Sequence, residues 1–127
     1  SVLVEMSPVS GADAALRRMA REVEQMLKDT LDAYVRGDAV LAEDVRQRDQ
    51  EVDHMYNALF CEFLTFMMED PRNITSCMHL HFMAKNIERM GDLTTNMAEQ
   101  VIYLVTGDMP EEARPKGDKT AYAVTPS

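Results

Sequence analysis

The chain has 127 residues, a formal net charge of −9, 46% hydrophobic and 28% charged residues, a composition ordinary for one globular domain with a modest core. The acidic balance argues against nucleic acid as the main partner and favours multivalent cations or basic protein surfaces. Its two cysteines, Cys61 and Cys77, fall in segments that read as helix, so no disulfide framework is expected and a reducing cytoplasm fits. No signal peptide is evident, and no apolar run reaches the roughly 18 residues that a membrane span needs.

Residues 1–13 read as a linker or leader, because Ser7-Pro-Val-Ser-Gly11 is a cluster of helix breakers. A first helix is expected from Ala14 to about Arg36, where Leu16, Met19, Val23, Met26, Leu27 and Tyr34 recur at three-and-four spacing. Gly37 ends it, and Asp38 is placed to cap a second helix over Ala39 to Glu69. That helix carries the stripe Leu41, Val45, Val52, Tyr56, Leu59 and Phe63. One member of the stripe is missing, because the rhythm requires an apolar residue at position 49 and the chain has Asp49.

Asp70-Pro-Arg-Asn73 predicts a turn, since proline disfavours helix for the residue before it and opens the next helix well. A third helix is expected from Ile74 to Thr106, closed by Gly107. Rods of roughly 35 to 50 Å with short connections must run antiparallel, so the predicted fold is all-α, an up-down-up three-helix bundle over residues 14–107. Residues 108–127 read as an extended C-terminal tail.

The acidic residues carry the functional signal. Glu88 and Asp92 lie four apart and share one helix face, as do Asp49 and Asp53. In an antiparallel hairpin, level residues have numbers with a constant sum. Asp49 with Asp92, and Asp53 with Glu88, share one such sum, centred on the Asp70-Pro71 turn. Two acidic pairs thus meet across one groove, where hard cations that take oxygen ligands would neutralise them. Glu22 of the first helix is near the level of Asp53 and is a possible further ligand, and Asn96 and Glu99 continue the acidic face. Gly91, in mid-helix where it costs about 1 kcal/mol relative to Ala, points to close approach of something to the backbone.

Plainer readings stand beside this one. An acidic pair on a helix is ordinarily a solvated face, and Lys85 and Arg89 could be the neutralising partners. The 11 methionines at helical spacing fill cores, or else furnish an adaptable partner surface. Cys77, His79 and His81 alternate on a helix and make a poor zinc set. Glu51-Val-Asp-His54 is half of a di-iron bundle signature, which needs a second such motif, so a dimeric oxidase is a distant reading. Without a plausible nucleophile or catalytic base, the chain is not read as an enzyme.

The run Ala84-Lys-Asn-Ile-Glu-Arg-Met-Gly-Asp-Leu-Thr-Thr-Asn-Met-Ala-Glu99, followed by Val101-Ile-Tyr-Leu-Val-Thr-Gly107, resembles the second-repeat signature of the PhoU family. Asp49-x-x-x-Asp53-x-x-Tyr56 and Met67-Met-Glu-Asp-Pro-Arg-Asn-Ile74 are similar to it too, and the resemblance covers roughly residues 15–107. It implies one of two tandem three-helix bundles, so the chain is the C-terminal half of a longer protein or a single-bundle relative. It also implies metal ligation by Asp49, Asp53, Glu88 and Asp92, with iron the first expectation and zinc, manganese or magnesium open. The implied role is negative regulation of phosphate uptake and of the phosphate-starvation response. The expected partners are a phosphate transporter component and a sensor histidine kinase at the inner membrane face, for a cytoplasmic, homo-oligomeric protein. Leu93 departs from the family, where a His commonly follows the Asp, and Thr94 stands where Ala is usual. The competing reading is a generic helical interaction or dimerisation module without metal.

Overall fold

A computed structural model describes residues 10–110. Three helices run in sequence, α1 (Ser10–Arg36), α2 (Ala39–Glu69) and α3 (Ile74–Thr106), with a 3-10 turn at Pro71–Asn73 between the last two. Among the described residues there is no strand, and each helix packs against the other two as an antiparallel three-helix bundle. None of these helices is long and apolar enough to cross a membrane.

The breaks have local causes. Gly37 takes φ +66°, a left-handed conformation that favours glycine, and the Leu41 amide donates to the Asp38 carboxylate at 3.0 Å to cap α2. At the second break Asp70 is extended, as the residue before a proline prefers, and its carboxylate accepts from the Arg72 amide at 3.0 Å. The Asn73 side chain donates to the Phe66 carbonyl at 3.0 Å, satisfying an acceptor at the end of α2. Gly107, at φ +85°, closes α3 by donating its amide to the Tyr103 carbonyl at 2.8 Å.

Two sequence expectations change. Helix α1 begins at Ser10 rather than Ala14, because Ala12 is buried in the core and Asp13 pairs with Arg17 one turn on at 2.8 Å. That places residues 10–13 in the bundle, while residues 1–9 of the expected linker, and the expected tail from residue 111, lie outside the described residues. The core stripe of α1 also ends differently. Leu27 and Tyr34 are exposed, and Thr30 and Ala33 are buried instead, so the line Ala12, Leu16, Met19, Val23, Met26, Thr30, Ala33 keeps a strict alternation of four and three. Thr30 is tolerated there because its hydroxyl donates to the Met26 carbonyl at 2.9 Å.

Met19, Met26, Val45, Val52, Leu59, Phe63 and Leu80 interdigitate at the centre, each contributing about 1.5–3 kcal/mol by leaving water. The core lines of the two longer helices carry the positions on which function turns. Along α2 the buried positions include 45, 49, 52, 59 and 63, and along α3 they include 77, 80, 84, 88, 91, 95, 98 and 102. Asp49 and Glu88 therefore occupy core positions, with apolar neighbours before and after them on the same face.

Candidate functional site

Asp49 is 1% exposed, Asp53 6% and Glu88 7%. An ionised carboxylate moved out of water is costly unless matched by charge or hydrogen bonds, so three on one helix pair mark a region not selected for packing alone. Asp49 rests beside Gly91. A Cβ built on that glycine would stand 3.5 Å from an Asp49 carboxylate oxygen, 3.4 Å from Val23 of α1 and 3.5 Å from Val52. What approaches the Gly91 backbone is thus the bundle's own core, at ordinary van der Waals distance.

Outward from this layer, α2 and α3 enclose an open cavity of about 520 Å³. Asp53, Tyr56, Asn57 and Phe60 line it from α2, and Lys85, Glu88, Arg89 and Asp92 from α3. The antiparallel register puts these residues at one level: Tyr56 and Phe60 meet the α3 residue His81 at ring-centroid distances of 6.0 and 5.5 Å. The Lys85 ammonium lies 3.7 Å from a Glu88 carboxylate oxygen and 5.4 Å from the centroid of the Tyr56 ring, an ion pair and a cation–π contact on the cavity wall. Sequence reasoning set Lys85 and Arg89 aside as mere neutralising partners and missed Tyr56, Asn57 and Phe60. The hairpin register that aligned the carboxylates also predicts those rungs.

The structure brings Asp53, Glu88 and Asp92 to one cavity and sets Asp49 behind it, one layer deeper. Other candidates lie elsewhere. Glu22 pairs with Arg48 at 3.8 Å, and Arg48 also bonds Asp29 and Asp44. Glu99 accepts from Arg46 at 3.2 Å, and Asn96 is exposed and does not line the cavity. Arg46 is 9% exposed and donates to Glu43 at 2.9 Å as well, clamping α2 to α3. Burial raises the Glu43 carboxyl, yet hydrogen bonds from Gln47 and Arg46 and the Arg46 charge outweigh it and hold Glu43 below the usual carboxylate range. Cys77 is a core residue whose thiol burial pushes up, His81 packs on aromatic rings and His79 is exposed, so the three do not form a zinc set. Glu51 and His54 are both exposed, which leaves the half-signature of a di-iron site outside the bundle interior.

Among the described residues, no three carboxylate, imidazole or thiol groups converge as a ready-made ligand set. The carboxylates of the lining are hard oxygen donors of the kind divalent cations take, and they share the cavity with Lys85 and Arg89, the former paired to Glu88. Asp53, Glu88 and Asp92 are the carboxylates that a cation in the cavity would meet.

Fold and site together define a helical bundle whose central hairpin presents an acidic, cavity-lining face. A family model described as the PhoU domain matches residues 16–101. A phosphate-specific transport system accessory protein PhoU homolog of Rhizobium meliloti is 49% identical, over 83% of this chain and 47% of the relative. A protein of the same description from Caulobacter vibrioides is 48% identical, over 92% of this chain and 51% of its own length. The crystal structure of PhoU from Pseudomonas aeruginosa superposes with a TM-score of 0.70 at 42% identity, over 72% of this chain and 44% of that one. The chain belongs to the PhoU family. It spans about half the length of the curated relatives it matches.

Proposed function

We propose that this bundle is a metal-dependent, non-enzymatic regulatory module of phosphate transport, which restrains phosphate uptake and phosphate-starvation signalling by linking a phosphate transporter to its sensor histidine kinase. It would act in the cytoplasm at the inner membrane face, as part of a homo-oligomer. Family membership supports the tie to phosphate transport, since the relatives are described as accessory proteins of that system. The observation that carries the metal reading is the placement of carboxylates in the core lines of two helices, Asp49 on α2 and Glu88 on α3, with Asp53 and Asp92 beside them. Iron is the first expectation, and zinc, manganese or magnesium can replace it, because carboxylate sites discriminate weakly among divalent ions.

Titration of the chain with ferric or divalent ions during thermal unfolding tests this reading. A ligand that binds only the folded form stabilises it by about 2.7 kcal/mol at a concentration 100 times its Kd. The wild type should gain stability on that scale, and Asp49→Asn/Asp92→Asn should lose most of the gain. Equal shifts in both proteins would place the metal elsewhere.

A second reading, a helical interaction module without metal, has one observation in its favour. From the cavity toward the Pro71 turn, Phe60, Leu64 and Met68 of α2 and Ile74, Met78 and Phe82 of α3 are exposed, which gives this end of the hairpin an apolar surface. Metal content after purification without added metal separates the two readings.

A further inference from the structure

The charges of α3 are sorted to one side. Of its five Asp, Glu, Lys and Arg residues, Lys85, Glu88, Arg89 and Asp92 line the cavity shared with α2, and Glu99 pairs with Arg46 of α2. The side turned away from α2 carries none. There Met83, Met90, Met97 and Leu104 recur at every seventh position with Leu93 between them, each 41 to 66% exposed, and Asn86 and Gln100 add polar groups without charge. A line at this spacing, beside the core line that runs from Cys77 to Ile102, is a second packing seam of the kind that seats another helix. It continues onto α1, where a cavity of about 160 Å³ opens between Glu24 and Leu27 of α1 and Ile87 and Met90 of α3, and Leu31 is exposed one turn further along. With Leu27 and Leu31, the five apolar residues of the seam present roughly 700 Å² of surface, more than the largest apolar patch of a typical monomer and close to the ~800 Å² that a standard interface takes from each partner.

We infer that this α1–α3 face is where two copies of the chain join, α3 lying antiparallel along α3 of the second copy. The inference supplies an interface for the homo-oligomer proposed above and rests on that part of the reading, not on the metal. Charge decides the occupant. Each chain carries a net charge of −9, so two copies repel over much of their surface, and along this seam they meet with no charge of α3 opposed. A nucleic acid, a lipid headgroup or a highly charged protein would find no counter-charge on it, whereas a second copy brings the same apolar line. A two-fold axis beside Leu93 sets that residue against its own copy, Met90 against Met97, Met83 against Leu104 and Asn86 against Gln100, each pair level to within one residue.

Sedimentation equilibrium of the full chain at micromolar concentration, without added metal, tests it. The wild type should run at twice its 14.4 kDa. Met90→Glu/Met97→Glu sets like charges opposite one another and should weaken the dimer by about 100-fold or more. Met90→Glu/Met97→Lys opposes unlike charges in the antiparallel pairing, and should dimerise at least about tenfold more tightly than the double glutamate. Leu64→Glu/Met68→Glu, on the apolar surface near the Pro71 turn, should leave the dimer unchanged. All of these side chains are exposed in the single bundle, so the variants should fold, and circular dichroism checks this. A monomeric wild type would overturn the inference and the homo-oligomer together. A dimer that survives Met90→Glu/Met97→Glu, or weakens as much in Leu64→Glu/Met68→Glu, would overturn this interface and leave the homo-oligomer standing. Equal weakening by the two variants of positions 90 and 97 would overturn the antiparallel pairing, and the inference with it.

Discussion

Two stretches of the α2–α3 interface use the same residue types to opposite ends. Near the start of α2, Arg46 lies buried between Glu43 and Glu99, and a salt bridge of 3.2 Å closes the helices over it. Two to three turns on, Asp53, Glu88 and Asp92 line an open cavity whose cations stand at the rim. In the first region a buried cation pairs with two carboxylates. In the second the buried groups, Asp53 and Glu88, are anions, and the cations Lys85 and Arg89 reach solvent. Placement of charge relative to depth, rather than the number of charges, separates a clamp from a site.

That contrast can be broken at either end, and the largest effect is expected at the clamp. Arg46→Met keeps much of the side-chain volume but leaves Glu99 without its arginine, and should lower stability by about 2 kcal/mol in urea unfolding. An unchanged midpoint would mean that the clamp contributes no more than a surface ion pair.

Behind the cavity, Gly91→Ala should raise stability by about 0.5–1 kcal/mol. The new methyl meets Val23, Asp49 and Val52 at ordinary contact distance while the helix loses its least favourable interior residue. A loss in thermal unfolding would show that the layer holding Asp49 cannot accept even a methyl group.

At the cavity, Asp92→Asn should act in the direction opposite to Arg46→Met. Removing one of two carboxylates one turn apart on α3 relieves repulsion and should stabilise the metal-free protein by about 0.5 kcal/mol, a gain that reverses when metal is added.

The smallest effect is a pH dependence at the clamp. The folded protein holds Glu43 below its ordinary value of 4.5, so its contribution to stability is fully present above that value and fades as the pH falls through the lowered one. Stability measured from pH 6 down to pH 3 should therefore fall less steeply in Glu43→Gln than in the wild type, and identical slopes would remove Glu43 from the clamp.

The helix boundaries were legible in the sequence because they are local. Gly37, Asp38, Pro71 and Gly107 act through φ, capping and the missing proline amide, and they place α2 and α3 as expected. The start of α1 was not legible: Ser10 and Gly11 read as breakers, and it is burial of Ala12 that extends the helix over them. The level pairing of Asp49 and Asp53 with Asp92 and Glu88 could also be read from sequence, since a tight antiparallel turn sets register by counting.

What a residue faces is a different matter, because depth depends on the third helix. Helix spacing alone puts Leu27 and Tyr34 on the apolar face of α1 and cannot choose Thr30 and Ala33 over them. It likewise treats Glu22, Glu99, Lys85 and Arg89 alike as charges near an acidic groove. Only the packed bundle commits Glu22 and Glu99 to Arg48 and Arg46, and brings Lys85 and Arg89 to the rim of a cavity. The physical reason is that periodicity encodes direction around one axis, while burial and ion pairing depend on distances among three axes.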